Sequence, residues 1–188
     1  FAGAPAWVGM LAWGVGMTAA ARDASLLVDA AWATGIFWTV AVMLYLPKIA
    51  SAVDVLLGVR SRRAFGGGLR FLAGFAIETA FSVLLCPIMW CSQSLFLVRL
   101  AMGRAAGWGA QARDDHTLSW RQATATFWPH TTFGALLLGA LLLAAPAALP
   151  YAFFFLGGPL LAIPLAVVTS WPGVARALMR AHILSLPE

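Results

Sequence analysis

Charge is what this sequence has least of. Asp, Glu, Lys and Arg together make up 10% of its 188 residues, where a soluble domain carries about a quarter. A chain so poor in charge, 62% hydrophobic and with a mean hydropathy of +0.86, reads as an integral membrane protein. Cysteine is scarce as well. Cys86 and Cys91 lie five residues apart in a stretch that reads as helix, a poor disulfide pair and an incomplete metal site, so both are expected to be buried or lipid-facing thiols. A nucleophile elbow, a zinc motif and a dinucleotide fingerprint are all missing, so no catalytic residue and no metal ligand is assigned. The formal charge of +5 sits in clusters between apolar segments. It lines no polar face, which argues against nucleic acid and for anchoring at a cytoplasmic leaflet. A chain opening at Phe1 is expected to be a fragment of something longer.

What is present is a series of long apolar runs. Residues 1–21 carry no charge and end at Arg22 and Asp23, enough to cross a core of about 30 Å at 1.5 Å per residue. A second run, 30–47, ends at Pro47 and Lys48, with Trp32 and Tyr45 as interface anchors. The uncharged stretch from Gln122 to Ala175 reads as two helices joined by a tight turn at "APAALPY", where Pro146 and Pro150 punctuate. The fold class expected is therefore all-α and integral to the membrane, with four transmembrane helices, a cytoplasmic interfacial helical segment and a gating-type loop.

Residues 71–98 are ambiguous, because Glu78 and Pro87 interrupt them. If they cross, the basic residues divide almost evenly between the two sides. If they lie at the interface or re-enter, every basic residue except Arg22 falls on one side, as the positive-inside tendency prefers. That places 71–98 as one or two cytoplasmic helices broken near Pro87. The preceding "GVRSRRAFGGGLR" offers arginines to anionic headgroups and then glycines for a sharp turn. It lacks the Lys-Ser/Thr of a phosphate-binding loop. The organisation expected is a transmembrane hairpin at 1–47, a basic Gly-rich linker with interfacial helices at 48–106, a cytoplasmic polar loop at 107–121, and a second hairpin with a cytoplasmic tail at 122–188.

The polar loop, "GWGAQARDDHTLSWRQ", is the most hydrophilic window in the chain. "SWRQ" fits a capping box, with Ser119 as N-cap and Gln122 three residues on. Trp108 and Trp120 are platforms on which a sugar or base could stack. Gln111, Arg113, Asp114 and Asp115 supply donors and acceptors, and an arginine suits a diphosphate. The plainer alternative is a solvated connector with interfacial tryptophans. His116 and His130 have no ligand spacing and are expected to be structural. Glu78 and Ser82 share a helical face that Cys86 and Gln93 continue, either a polar channel lining or the wet side of an interfacial helix.

Four ordered motifs then carry a resemblance: "YLPKI", "RRAFGGGLRFLAGFAIETAFSVLLCPIMWCSQSLFLVRLAMGR", "GWGAQARDDHTLSWRQA" and "LLAIPLAVVTS" with "ILSLPE". Together they resemble the C-terminal membrane region of the bacterial glucans biosynthesis glucosyltransferase H family, similar in layout to bacterial cellulose synthase. The resemblance implies a processive inner-membrane family 2 glycosyltransferase that uses UDP-glucose to build the β-glucan backbone of osmoregulated periplasmic glucans. Its Asp motifs, its divalent metal (Mg or Mn) and its acceptor motif would lie in an upstream catalytic domain outside these residues. By the same analogy the loop is a gate over the nucleotide sugar, with Trp108, Gln111 and Arg113 contacting UDP or acceptor and Asp114 and Asp115 orienting them. Trp90, Phe96, Phe127 and Trp128 would then stand near a polymer channel. The partners implied are the bilayer, UDP-glucose, the growing glucan, the upstream domain and acyl carrier protein. The competing reading is a non-enzymatic transporter or channel subunit.

Overall fold

The computed structural model describes residues 3–20, 30–104, 117–144, 146, 149–181 and 183. Among them the ordered elements are helices: α1 (Gly3–Ala20), α2 (Ala30–Leu57), α3 (Val59–Ala64), α4 (Gly68–Ala101), α5 (Trp120–Ala144), α6 (Leu149–Leu160), α7 (Ala162–Thr169) and α8 (Pro172–Arg180). The described residues form two compact units, one of Phe1–Ala20 with Phe81–Ala175 and one of Ala21–Ala80 with Arg176–Glu188.

Three of these helices are long and apolar enough to cross a membrane, α2 over Thr34–Leu57, α4 and α5. A fourth candidate is α6 with α7, bent by 57° at their junction. The all-helical, multi-pass expectation therefore holds, with three to four candidate spans. Their identity differs from expectation at both ends of the first half. α1, with 18 residues described, is not among these candidates. The second span does not stop at Pro47 but continues through Lys48 to Leu57.

The break expected near Pro87 within residues 71–98 is absent. These residues lie within α4, one helix of 34 residues that runs through Pro87 without a break. Proline removes a single backbone donor, and in an apolar setting the remaining carbonyls and amides have no partners but each other, so the helix carries on. At 1.5 Å per residue, α4 is about 50 Å long, more than a hydrocarbon core needs.

In the first unit the core lies between α5 and α6. Ala123, His130, Gly134, Leu137 and Leu141 are buried along α5 at seven-, four- and three-residue steps, a single stripe. Leu137, Leu141 and Leu156 pack together, with Leu11 of α1 and Phe133 beside them. The closest approaches are made by small residues. A Cβ on Gly158 would collide with the carbonyl oxygen of Leu84 in α4, and one on Gly134 would lie 3.1 Å from the Leu160 nitrogen. Glycine is required at Gly158, and at Gly134 a Cβ would press on the α6 backbone. The bend after Leu160 falls four residues before Pro164, which has no N–H to offer the Leu160 carbonyl. Thr131 Oγ1 donates to the neighbouring Pro159 carbonyl at 3.3 Å.

In the second unit α2 leads into α3 through Gly58, whose N–H donates to the Asp54 carbonyl at 3.0 Å. α3 ends in a Schellman turn: Gly67 N–H reaches the Arg62 carbonyl at 2.9 Å and Gly66 N–H the Arg63 carbonyl at 3.0 Å. Gly66 and Gly67 have φ of 74° and 109°, so the sharp turn expected from "FGGG" is there for the expected reason.

Candidate functional site

The polar loop is held at both ends by local chemistry. α4 stops in a second Schellman turn, with Gly103 at φ 72°, its N–H on the Leu100 carbonyl and the Arg104 N–H on the Arg99 carbonyl, both at 3.0 Å. Across the loop, α5 opens with the expected capping box. Gln122 N–H donates to Ser119 Oγ at 3.3 Å, while Gln122 Oε1 accepts from the Ser119 N–H at 3.0 Å and its hydroxyl at 2.7 Å. A further tether ties this end down. The Leu118 N–H donates to Ser170 Oγ at 2.9 Å, and that hydroxyl donates to the Val167 carbonyl at 2.7 Å, at the C-terminus of α7. No local pattern marks Ser170, because its partner is 52 residues away.

Trp120 is the first residue of α5 and stands 56% exposed. Trp108, Gln111, Arg113, Asp114 and Asp115, as well as His116, lie outside the described residues.

The α4 face supplies the other expected candidates. Glu78 is half-exposed and forms an ion pair with Lys48 of α2 at 2.5 Å, and the Lys48 ammonium also lies 5.6 Å from the Phe75 ring centroid. Ser82 is half-buried and Gln93 is exposed. Beside Gln93, Ser92 faces the other way: its Oγ is 2.8 Å from Nε2 of the buried His130. That contact supports the structural reading of His130, and it bridges α4 and α5 inside the apolar region. Neither Lys48 nor Ser92 was singled out from sequence. Each is identified only by a partner 30 or more residues away.

The aromatic candidates divide. Trp90 stacks on Trp7 at 5.1 Å and 6°, and Phe127 meets His130 edge-on at 5.3 Å, so both are used in packing. Phe96 and Trp128 are 49% and 57% exposed and keep faces available. Cys86 is exposed and Cys91 buried, both free. Among the described residues, no three His, Cys, Asp or Glu side chains come together as a metal site. What the described part can do chemically is hold a loop in place and present exposed indole, amide and carboxylate groups along two helices.

Comparison with known proteins gives relatives over most of the chain. A protein named glucans biosynthesis glucosyltransferase H from Xanthomonas campestris pv. campestris (strain B100) is 32% identical over 146 residues, 78% of this chain and 23% of the relative. One of the same name from Rhodopseudomonas palustris (strain TIE-1) is 36% identical over 153 residues, 81% of this chain and 21% of the relative. One from Xanthomonas oryzae pv. oryzae (strain MAFF 311018) is 30% identical over 200 residues, reaching 98% of this chain and 31% of the relative. The chain thus spans between about a fifth and a third of the length of these relatives. No protein-family profile matches it, and no solved structure does.

Proposed function

The chain belongs to the glucans biosynthesis glucosyltransferase H family, as a region of it, and from that membership we propose that it is the membrane and polymer-translocation portion of a processive glucosyltransferase. In this reading UDP-glucose is the donor, the product is the β-glucan backbone of periplasmic glucans, and the protein sits in the bacterial inner membrane with the polar loop cytoplasmic. The catalytic domain, a family 2 glycosyltransferase with its divalent metal, lies in the part of the relatives that these residues do not match. Acyl carrier protein belongs to the same proposal, as a partner of the whole enzyme.

The observation that carries the reading is similarity reaching 98% of the chain to a named glucosyltransferase, in a chain whose long helices are apolar enough for a membrane. The loop's anchoring supports a gate. A lid must move at its middle and be fixed at its ends, and the Gly103 turn, the Ser119 capping box and the Ser170 tether provide fixed ends. Within that lid Trp108, Gln111 and Arg113 contact the nucleotide sugar or acceptor, with Asp114 and Asp115 orienting them. Trp120 sits at its base. Glu78, Ser82 and Gln93 line the polar face past which the polymer moves.

The test is incorporation of radiolabelled UDP-glucose into polymer by membranes bearing the full-length parent enzyme, comparing wild type with Arg113→Ala and Trp108→Ala. A fall of about 100-fold at normal expression supports a gate that handles the donor. Unchanged synthesis in both variants removes the gate while leaving the family membership intact. If wild type makes no polymer from UDP-glucose or any other nucleotide sugar, the transporter reading replaces this one, and the broken α6–α7 pair would be its starting point.

A further inference from the structure

The turn between α2 and α4 combines two features that rarely coexist in water. It carries four exposed arginines, Arg60, Arg62, Arg63 and Arg70, within eleven residues. Interleaved with them are large aliphatic side chains left almost bare: Leu57 at 78%, Val59 at 53% and Leu69 at 86% exposure. We propose that this turn is a binding site for the phosphate headgroups of anionic phospholipids, with Arg60, Arg63 and Arg70 holding the phosphate and the three aliphatics entering the acyl boundary.

Depth argues for it first. The apolar window of α2 runs to Leu57, so the chain leaves the hydrocarbon there. Residues 58–67 then lie at headgroup level whether α4 crosses back or runs along the surface. The inference rests on α2 being a span and is independent of the sugar chemistry proposed above.

Charge argues for it next. α3 holds three arginines and no acid. Arg62 is partly committed, donating from Nη1 to the Leu56 carbonyl at 3.3 Å and so closing the end of α2. Arg70 is positioned by the glycine turn: its Cδ and a guanidinium nitrogen lie 3.5 Å from where a Gly66 Cβ would be, so its stem lies back over the turn. Arg60 and Arg63 are exposed, three residues apart on α3. Of the two carboxylates described in this unit, Glu78 is paired with Lys48. That leaves Asp54 against the four arginines. Guanidinium groups bind phosphate through paired donors in a fixed plane.

Apolar anchoring completes the fit. Exposed leucine and valine beside arginine is the pattern of a segment lying in the interface, with aliphatics below and cations at the phosphates. Phe65 and Phe71, edge-on at 5.2 Å, stand where an aromatic belt would be. The same compact unit includes the chain from Arg176 onward, so Arg180, at the end of α8, adds positive charge to it.

The experiment uses the full-length parent protein in detergent, titrated with phosphatidylglycerol or phosphatidylcholine, with bound lipid counted by native mass spectrometry. Phosphatidylglycerol is expected to bind in preference to phosphatidylcholine. Each arginine is expected to contribute about five-fold, so Arg60→Gln/Arg63→Gln/Arg70→Gln should lose the preference, and the corresponding triple lysine variant should keep most of it. Equal binding of the two lipids, or an unchanged preference in the triple Gln variant, overturns the proposal. Displacement of phosphatidylglycerol by inorganic pyrophosphate at equal concentration also overturns it, because the cluster would then be a site for soluble phosphates. If the triple variant elutes as aggregate, Arg60→Gln alone decides. A drop of about five-fold sustains the site, and no drop removes it.

Discussion

Helices α2 and α5 are alike in length, 28 and 25 residues, and both are apolar enough to cross a bilayer. The more apolar of the two is the less buried. The best window of α2 has a mean hydropathy of 1.8 and is 6% buried within the chain, whereas that of α5 has 1.4 and is 22% buried. Hydropathy therefore says which segments leave water and says little about which segments pack. In a bilayer, lipid is as apolar as leucine, so helices associate through close backbone approach and polar contacts. α5 has both, in Gly134 against Leu160, Thr131 on the Pro159 carbonyl and His130 on Ser92. α2 offers Gly35, with no neighbour among the described residues within 4 Å of its Cβ position.

The strongest way to break this comparison is Gly158→Val. Its first side-chain atom would collide with the Leu84 carbonyl, a backbone atom that cannot swing aside. A loss of about 3 kcal/mol is expected, the upper end for overpacking, read as a lower unfolding midpoint in detergent. If the midpoint is unchanged, α4, α5 and α6 are not held by close approach and the contrast with α2 collapses. Next comes Ser92→Ala, which removes the partner of His130 Nε2 in a buried setting, at about 2 kcal/mol. Recovery in a Ser92→Ala/His130→Leu double variant would assign that loss to an unpaired polar group.

Ser119→Ala tests the loop anchor and should cost about 1 kcal/mol, with faster proteolysis confined to the segment before α5. The Lys48–Glu78 pair is expected to be weaker still. A double-mutant cycle should give about 0.5 kcal/mol if water reaches the half-exposed carboxylate. A coupling of about 2 kcal/mol would instead place the pair in a low-dielectric setting, and α2 would then be bound more firmly than its burial implies.

The parts of this fold that could be read from sequence are those decided within a few residues. The capping box at Ser119 and Gln122, the glycine turn at Gly66–Gly67, and the two helices flanking residues 145–148 all follow from local rules of sterics and hydrogen bonding. Pro47 and Pro87 misled because the rule that proline ends a helix assumes water to receive the freed carbonyl. In α2 and α4 the helix absorbs the proline, whereas the α6–α7 pair bends by 57° ahead of Pro164. Part of the site was legible in the same uneven way. Glu78 was assigned to a polar helical face, but its partner Lys48 could not be chosen without knowing that α2 extends past Pro47. Trp90 and Phe127 were placed near a polymer channel only through the resemblance, and their packing partners, Trp7 and His130, are too distant in sequence to have been foreseen.

The smallest expected effect is also the one that sharpens the comparison most. Gly35→Ala adds a methyl group where none of the described residues lies within 4 Å, in the second turn of α2, and alanine is favoured over glycine inside a helix. The change in stability should fall between zero and a gain of about 1 kcal/mol, with no change in activity of the full-length parent enzyme. A loss comparable with that of Gly158→Val would mean that α2 is packed as tightly as α6 against a neighbour not among the described contacts. In that case the low burial of α2 would reflect a missing neighbour instead of lipid. Gly139→Ala on α5, also open by the same criterion, separates the two explanations. If both alanines are tolerated, lipid covers both helices at these positions; if only Gly35→Ala destabilises, the missing neighbour lies against α2.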